Sequence, residues 1–205
     1  SEIEFINDIN GIMITFYREL KLDFPALKQE VDCTLHSEFQ HKQAKAIYIN
    51  PQEIEQVKQA WAVFVLSKQS MYSILGNAWK LSLEGNEAKS FDNAKKTFTQ
   101  VYQKRLERTS IFCRDAIDTI KNTDAEDTFH YCDPPYFNSD CGHYGGYTEE
   151  NYITLLELLS TIKGKFLLSS YPNEPLARYV QDKGWNYKEC DMPKAAGSQG
   201  KRKIE

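Results

Sequence analysis

Thr128-Phe129-His130-Tyr131-Cys132-Asp133-Pro134-Pro135-Tyr136-Phe137 is the stretch on which the reading of the fold turns. Its first five residues form a short, largely apolar run rich in aromatic and β-branched side chains, which predicts a strand. Two prolines then end it, since neither has an N–H to give to a sheet. Downstream, Thr148 caps a helix with an acidic first turn (Glu149, Glu150) and an apolar face of Ile153, Leu156 and Leu159. Phe166–Ser170 reads as a buried strand, Pro175–Lys183 as a helix stopped by Gly184, and Trp185–Cys190 as a further strand. Upstream, Ile111–Cys113 is a short strand followed by one or two helical turns over Ala116–Lys121, and Ile3–Ile6 opens the chain as another strand. Strands alternating with helices predict an α/β fold with a mostly parallel sheet.

Between these parts the texture is helical. Asn50-Pro51 has the form of a helix start, with Asn50 as cap, Pro51 in the first turn and Glu53 at the capping-box position. Ile54, Val57, Trp61, Phe64 and Val65 give that helix an apolar face. A second long helix is expected over Asp92–Arg108 with Phe98, Val101, Tyr102 and Leu106 inward. The aromatic residues Trp61, Phe64, Tyr72 and Trp79 read most simply as core, with contact to nucleic acid as the lesser alternative. This predicts a helical insert over 24–108 within a catalytic domain made of 1–23 and 109–205.

The chain has 205 residues, enough for one substantial domain with an insert. Its longest apolar run, Ala60–Leu66, is too short to cross a bilayer. Five cysteines at irregular spacing fit a reducing, cytoplasmic setting better than a disulfide framework. A net charge of −4 argues mildly against a nucleic-acid partner, but distribution matters more than the sum. Lys95, Lys96, Lys104, Arg105 and Arg108 cluster, as do Lys194, Lys201, Arg202 and Lys203. The first cluster is a candidate phosphate-binding set, with a solvated helix face as the plain alternative.

The chemistry lies in Asp133-Pro134-Pro135-Tyr136-Phe137. Asp133 falls at a strand's C-terminal end, where α/β sheets bind ligands. Its carboxylate only accepts hydrogen bonds, and the prolines leave the Pro134 carbonyl free to point into a site. Two adjacent acceptors match the two N–H bonds of an exocyclic amine. Accepting both draws the amine lone pair out of conjugation and makes the nitrogen a nucleophile. Tyr136 and Phe137 offer faces for an extruded base, a contact worth ~1–3 kcal/mol per base. Extrusion is needed because a paired base hides its amine in the duplex. His130, Cys132, Cys141 and His143 have zinc-like spacing, but the strand position of the first two favours packing, and no metal is expected.

This pentapeptide resembles motif IV of amino-group methyltransferases, and its context resembles the D12 class of Dam-like DNA adenine-N6 methylases. Ile6-Asn7-Asp8-Ile9-Asn10 with Phe16-Tyr17 is similar to that family's second-strand segment. The resemblance implies that Asp8 holds the ribose hydroxyls of S-adenosylmethionine, with helix capping as the alternative. Phe112-Cys113-Arg114-Asp115-Ala116 resembles the third motif, so Asp115 and Ala116 are implied at the cofactor's adenine, with a simple helix cap as the equal alternative for Asp115. Leu168-Ser169-Ser170-Tyr171-Pro172-Asn173-Glu174 resembles the segment beside the target pocket. The insert stands where the family carries its target-recognition domain.

These matches imply a Rossmann-like sheet and a site-specific, metal-free methyl transfer to a flipped adenine in double-stranded DNA. They also imply a bacterial or phage origin, with a cognate restriction endonuclease as a candidate partner. The loop Asn138–Tyr147 reads either as a lid over the base or as a plain unstructured connection. The family's opening strand and Gly-rich turn have no counterpart in this sequence. The expectation is therefore an incomplete sheet, a fragment, and weak or no cofactor binding and activity by this polypeptide alone. The alternatives are a ribosomal-RNA guanine-N2 methylase, against which the long insert argues, and a non-catalytic DNA-binding remnant of a phage or restriction-modification methylase.

Overall fold

The computed structural model describes residues 3–136, 146–193 and 202–204. It is a mixed α/β, mostly helical fold with small parallel sheets, in two compact units, Ser1–Ala116 and Ile117–Glu205.

In the first unit, β1 (Glu4–Asn7) pairs in parallel with β2 (Thr109–Phe112), Glu4 opposite Thr109 and Asn7 opposite Phe112. The chain between them forms α1 (Gly11–Leu22), α2 (Phe24–Asp32), α3 (Glu38–Ile49), α4 (Gln56–Gln69), a 3-10 turn at Met71–Ser73, α5 (Glu87–Thr97) and α6 (Gln100–Arg105). Side chains that accept from backbone N–H groups start several of these helices: Asn10 for α1, Asp23 for α2, Ser37 for α3 and Asn86 for α5. Every residue from Ala60 to Leu66 is buried, so the middle of α4 is apolar on all sides and runs through the core of this unit. Helices α1, α2 and α3 pack around it, and Phe16, Phe24 and Phe64 each stack or tilt against Phe98.

Several expectations fail here. Asn50 caps the end of α3, its N–H donating to the Ala46 carbonyl, and does not start a helix. Glu53 takes a left-handed φ of 64°, so α4 begins only at Gln56. The single helix over 92–108 is broken at Phe98, whose ψ of 88° lets its ring enter the core. Phe98 and Leu106 are buried as expected, but Val101 and Tyr102 are exposed. Tyr72, read as core, is 52% exposed, with φ at 59°.

In the second unit, β3 (Phe129–Cys132) pairs in parallel with β4 (Lys165–Leu168). Helix α7 (Ala116–Thr123) precedes β3, α8 (Glu149–Leu159) makes the crossover, and α9 (Glu174–Lys183) follows β4. A capping box between Thr148 and Asn151 starts α8. Gly184, at φ 64°, ends α9 in the left-handed conformation that glycine adopts without cost. Trp185–Cys190 is not a strand. Its tryptophan packs instead on Phe166 and Tyr179, and an antiparallel pair β5 (Asp191–Pro193) and β6 (Arg202–Ile204) comes later.

The strand alternation is clear. Cys132, Phe166 and Leu168 face the core formed with Ile120, Leu155 and Leu159, while Phe129, Tyr131 and Leu167 are exposed. Asp124 staples the entry to both strands, accepting from the backbone N–H groups of Lys163 (2.9 Å) and Gly164 (3.0 Å). These two bonds, with His130 nearby, hold the Asp124 carboxyl below its usual pKa. A Cβ on Gly164 would stand 2.5 Å from the Thr128 carbonyl oxygen and 2.8 Å from that of Ala125. Among the described residues, no helix is long and apolar enough to cross a membrane.

Candidate active site

Two groups of the sequence-derived residues sit at C-terminal strand ends, one in each unit. In the first unit, parallel pairing carries Asp8 and Asp115 to the same end of the β1–β2 sheet. The Asp8 N–H reaches the Phe112 carbonyl at 3.5 Å, and Asn7 ties the two turns together. Its side chain donates to the Arg114 carbonyl (2.9 Å) and accepts from the Arg114 N–H (3.3 Å). Asp8 is half-buried and accepts from the Asn10 N–H at 2.8 Å, which shapes the turn into α1. The capping of α1 itself falls to Asn10, so the plain reading of Asp8 as a helix cap loses its main support. Asp115 is exposed, and Ala116 is the first residue of α7.

Carboxylates are acceptors alone, and a ribose diol and an adenine amine both present donors. The acids at this sheet end therefore fit S-adenosylmethionine in chemical kind. A cleft of about 330 Å³ in the same unit is lined by Glu30, Gln43, Lys58, Trp61 and other residues at or near helices α2–α4, with neither strand-end acid in its lining.

In the second unit, Asp133, Pro134, Pro135 and Tyr136 follow β3 directly, with Asp133 exposed and the other three half-buried. The Tyr136 hydroxyl donates back to Asp133 Oδ1 at 3.2 Å. Its ring meets that of Tyr171, which leaves the turn after the neighbouring β4, with centroids 4.4 Å apart and planes at 65°. The parallel register explains the meeting: Cys132 lies opposite Leu168, so residues just beyond each emerge side by side. Tyr171 belongs to the segment whose resemblance implies a place beside the target pocket, though nothing in that resemblance marks its ring. An aromatic just past the strand paired with the motif strand was the available signal.

Phe137 and most of the expected lid, 137–145, lie outside the described residues, as do Cys141 and His143 of the zinc-like set. The other two members of that set have structural surroundings. Cys132 packs in the core, where burial pushes its thiol pKa up to about 11, and His130 Nε2 stands 3.6 Å from Asp124 Oδ1.

The basic cluster divides. Lys95 donates to the Thr34 carbonyl (2.9 Å) and lies over the Phe91 ring, Lys96 pairs with Asp92 (2.7 Å), and Arg105 forms a two-pronged pair with Glu4. Lys104 and Arg108 are exposed and form no ion pair among the described residues. Of the C-terminal basic cluster, Lys194 and Lys201 lie outside the described residues, and Arg202 and Lys203 fall in β6.

No curated protein matches the sequence. The family model for the D12 class N6 adenine-specific DNA methyltransferases matches residues 2–190, which takes in both strand-end acids, the helices between β1 and β2, and the Asp133–Tyr136 turn, and the chain belongs to that family.

Proposed function

We propose that this chain works as a site-specific DNA adenine-N6 methyltransferase, acting on the exocyclic amine of an adenine flipped out of double-stranded DNA. One observation carries the reading. Asp133 stands at the end of β3 with Tyr136 folded back onto it, so a polar acceptor and an aromatic ring share one short turn. Asp133 and the Pro134 carbonyl each accept one N–H of the amine, and Tyr136 stacks the base, with Phe137 as its proposed companion. Pro135 keeps the turn rigid and free of a competing donor. When bound, S-adenosylmethionine supplies an electrophilic methyl group on a sulfonium. Asp8 holds its ribose hydroxyls, and Asp115 with Ala116 its adenine. Passage of that methyl to the amine would form the N–C bond and break the S–C bond, leaving a neutral thioether. Asp133, bonded to an amine hydrogen, would stabilise the positive charge developing on nitrogen until that proton passes to water.

Segment 24–108 serves as the target-recognition insert in this proposal. Lys104 and Arg108 are its readiest phosphate contacts. Lys95, Lys96 and Arg105 would first have to exchange the intramolecular bonds they make. The family match supports adenine in DNA over guanine in ribosomal RNA.

The test measures transfer of labelled methyl from S-adenosylmethionine to DNA grown without adenine methylation, followed by identification of the modified base. N6-methyladenine is the expected product, and Asp133→Ala should lower the rate on the order of 100-fold or more, as when one charge-stabilising group is removed from a preorganised site. Undiminished methylation by Asp133→Ala would remove Asp133 from the mechanism. DNA binding without methylation by the unaltered protein would favour the non-catalytic reading.

A further inference from the structure

The base-binding turn is braced from a helix that takes no part in the chemistry. Tyr152, in the first turns of α8, is 1% exposed, and its hydroxyl donates to Ser170 Oγ at 2.9 Å. Ser170 Oγ in turn donates to the Tyr171 carbonyl at 3.0 Å and accepts from Asn173 Nδ2 at 3.2 Å. One donor and two acceptor positions are all that a hydroxyl has, so Ser170 is saturated. Asn173 Nδ2 also donates to the Tyr171 carbonyl, at 2.8 Å, while Asn173 Oδ1 accepts from the Leu176 N–H and starts α9. The Tyr171 carbonyl is therefore held from two sides, and the turn from 170 to 173 is fixed at both ends.

The ring carried by that turn is the one that meets Tyr136. An edge-to-face contact at 4.4 Å is attractive only while both rings keep their orientation. Tyr136 in turn places its hydroxyl on Asp133.

We infer that Tyr152 is a positioning residue for target-base binding, acting through Ser170 and Tyr171 to hold the Tyr136 ring in its stacking orientation. Tyr152 touches neither base nor cofactor in this scheme, and the buried hydroxyl is the functional part of its side chain. The inference rests on the proposed methyl transfer, because it gives Tyr136 a base to stack.

Tyr152→Phe removes the hydroxyl and keeps the packing. It should raise the KM for unmethylated DNA roughly 3- to 10-fold, the worth of one neutral hydrogen bond, with kcat within about twofold. Ser170→Ala should do the same, Ser170→Thr should retain most of the function, and Tyr152→Phe with Ser170→Ala should be no worse than either alone. Ring signals of ¹³C-tyrosine-labelled protein give a readout independent of activity. The Tyr136 signal should move in Tyr152→Phe in the same direction as in Tyr171→Ala. A Tyr136 signal and DNA KM that ignore Tyr152→Phe, while Tyr171→Ala moves both, would overturn the inference and leave the proposed function standing. Full methylation by Asp133→Ala would instead bring down the functional reading. If no methyl transfer is detected, the Tyr136 signal alone decides whether the brace exists.

Discussion

Tyr136 makes two kinds of contact that substitution can separate. Tyr136→Phe deletes the hydroxyl on Asp133 and keeps a stacking face, so DNA binding should persist with a modest loss of rate. Tyr136→Ala deletes both and should weaken DNA binding by ~1–3 kcal/mol, measured by fluorescence anisotropy. Equal binding by the two variants would show that the ring does not stack a base. The cysteines give a second residue-scale prediction. Cys33, Cys113 and Cys190 are exposed, while the Cys132 thiol is buried with its pKa raised to about 11. Iodoacetamide at pH 8 should label the first three in the folded protein and spare Cys132 until denaturant is added, as peptide mass mapping would show. The place of Asp133 and Tyr136 just past a strand end was legible in the sequence because the two prolines must stop the strand. The Tyr171 ring was less legible, since its contact depends on which strands pair and in which register.

Secondary-structure elements carry their own consequences. Gly164 sits where two backbone carbonyls leave no room for a Cβ, so Gly164→Ala must push apart the entry to β3 and β4. A cost of about 1–3 kcal/mol, typical of overpacking, should appear as a lower midpoint in urea. An unchanged midpoint would mean that the Asp124 staple yields easily.

The helices of the first unit respond to acid. Burial lowers the pKa of both His36 and His41 from 6.5, and His41 is further bound to Ser70 Oγ at 2.9 Å. With folded pKa values below the unfolded one, the unfolded state takes up more protons in this window. Their stability contribution is then complete above pH 6.5 and is lost as pH falls toward the folded values. Stability should therefore decline from pH 7.5 to pH 5.5, and His36→Phe, which keeps a ring against Trp79, should flatten that slope. A slope that is unaltered in His36→Phe would exonerate this histidine.

Element types were legible from capping residues and periodicity, as Thr148 and the apolar face behind it show, whereas the cap of α1 proved to be Asn10 and not Asp8. Breaks were not legible. Asn50 caps a helix end here instead of a start, and the kink at Phe98 exists because a core lying outside that helix draws its ring in. Such tertiary demands leave no local mark in sequence.

For the whole chain, the notable feature of the first unit is that β1 and β2 pair across a separation of 105 residues at the Glu4 end. The strands are held by the Glu4–Arg105 pair at one end and by Asn7 with Arg114 at the other. Closing so long a loop costs entropy before its contacts reward it, so this pairing is expected to form after the intervening helices. Arg105→Ala should consequently speed unfolding in stopped-flow chevrons and leave the refolding limb almost unmoved. A matching loss in refolding rate would place the strand pair in the folding nucleus instead. The same closure also bears on how such a chain can change over generations. Doubling the length between β1 and β2 would add only about 0.6 kcal/mol to the entropy of bringing them together. A slip of one residue in β1, by contrast, would turn Ile6 out of the core and carry Asn7 away from Arg114. Growth and replacement of the helices are thus open to inheritance in a way that drift within the short strands is not.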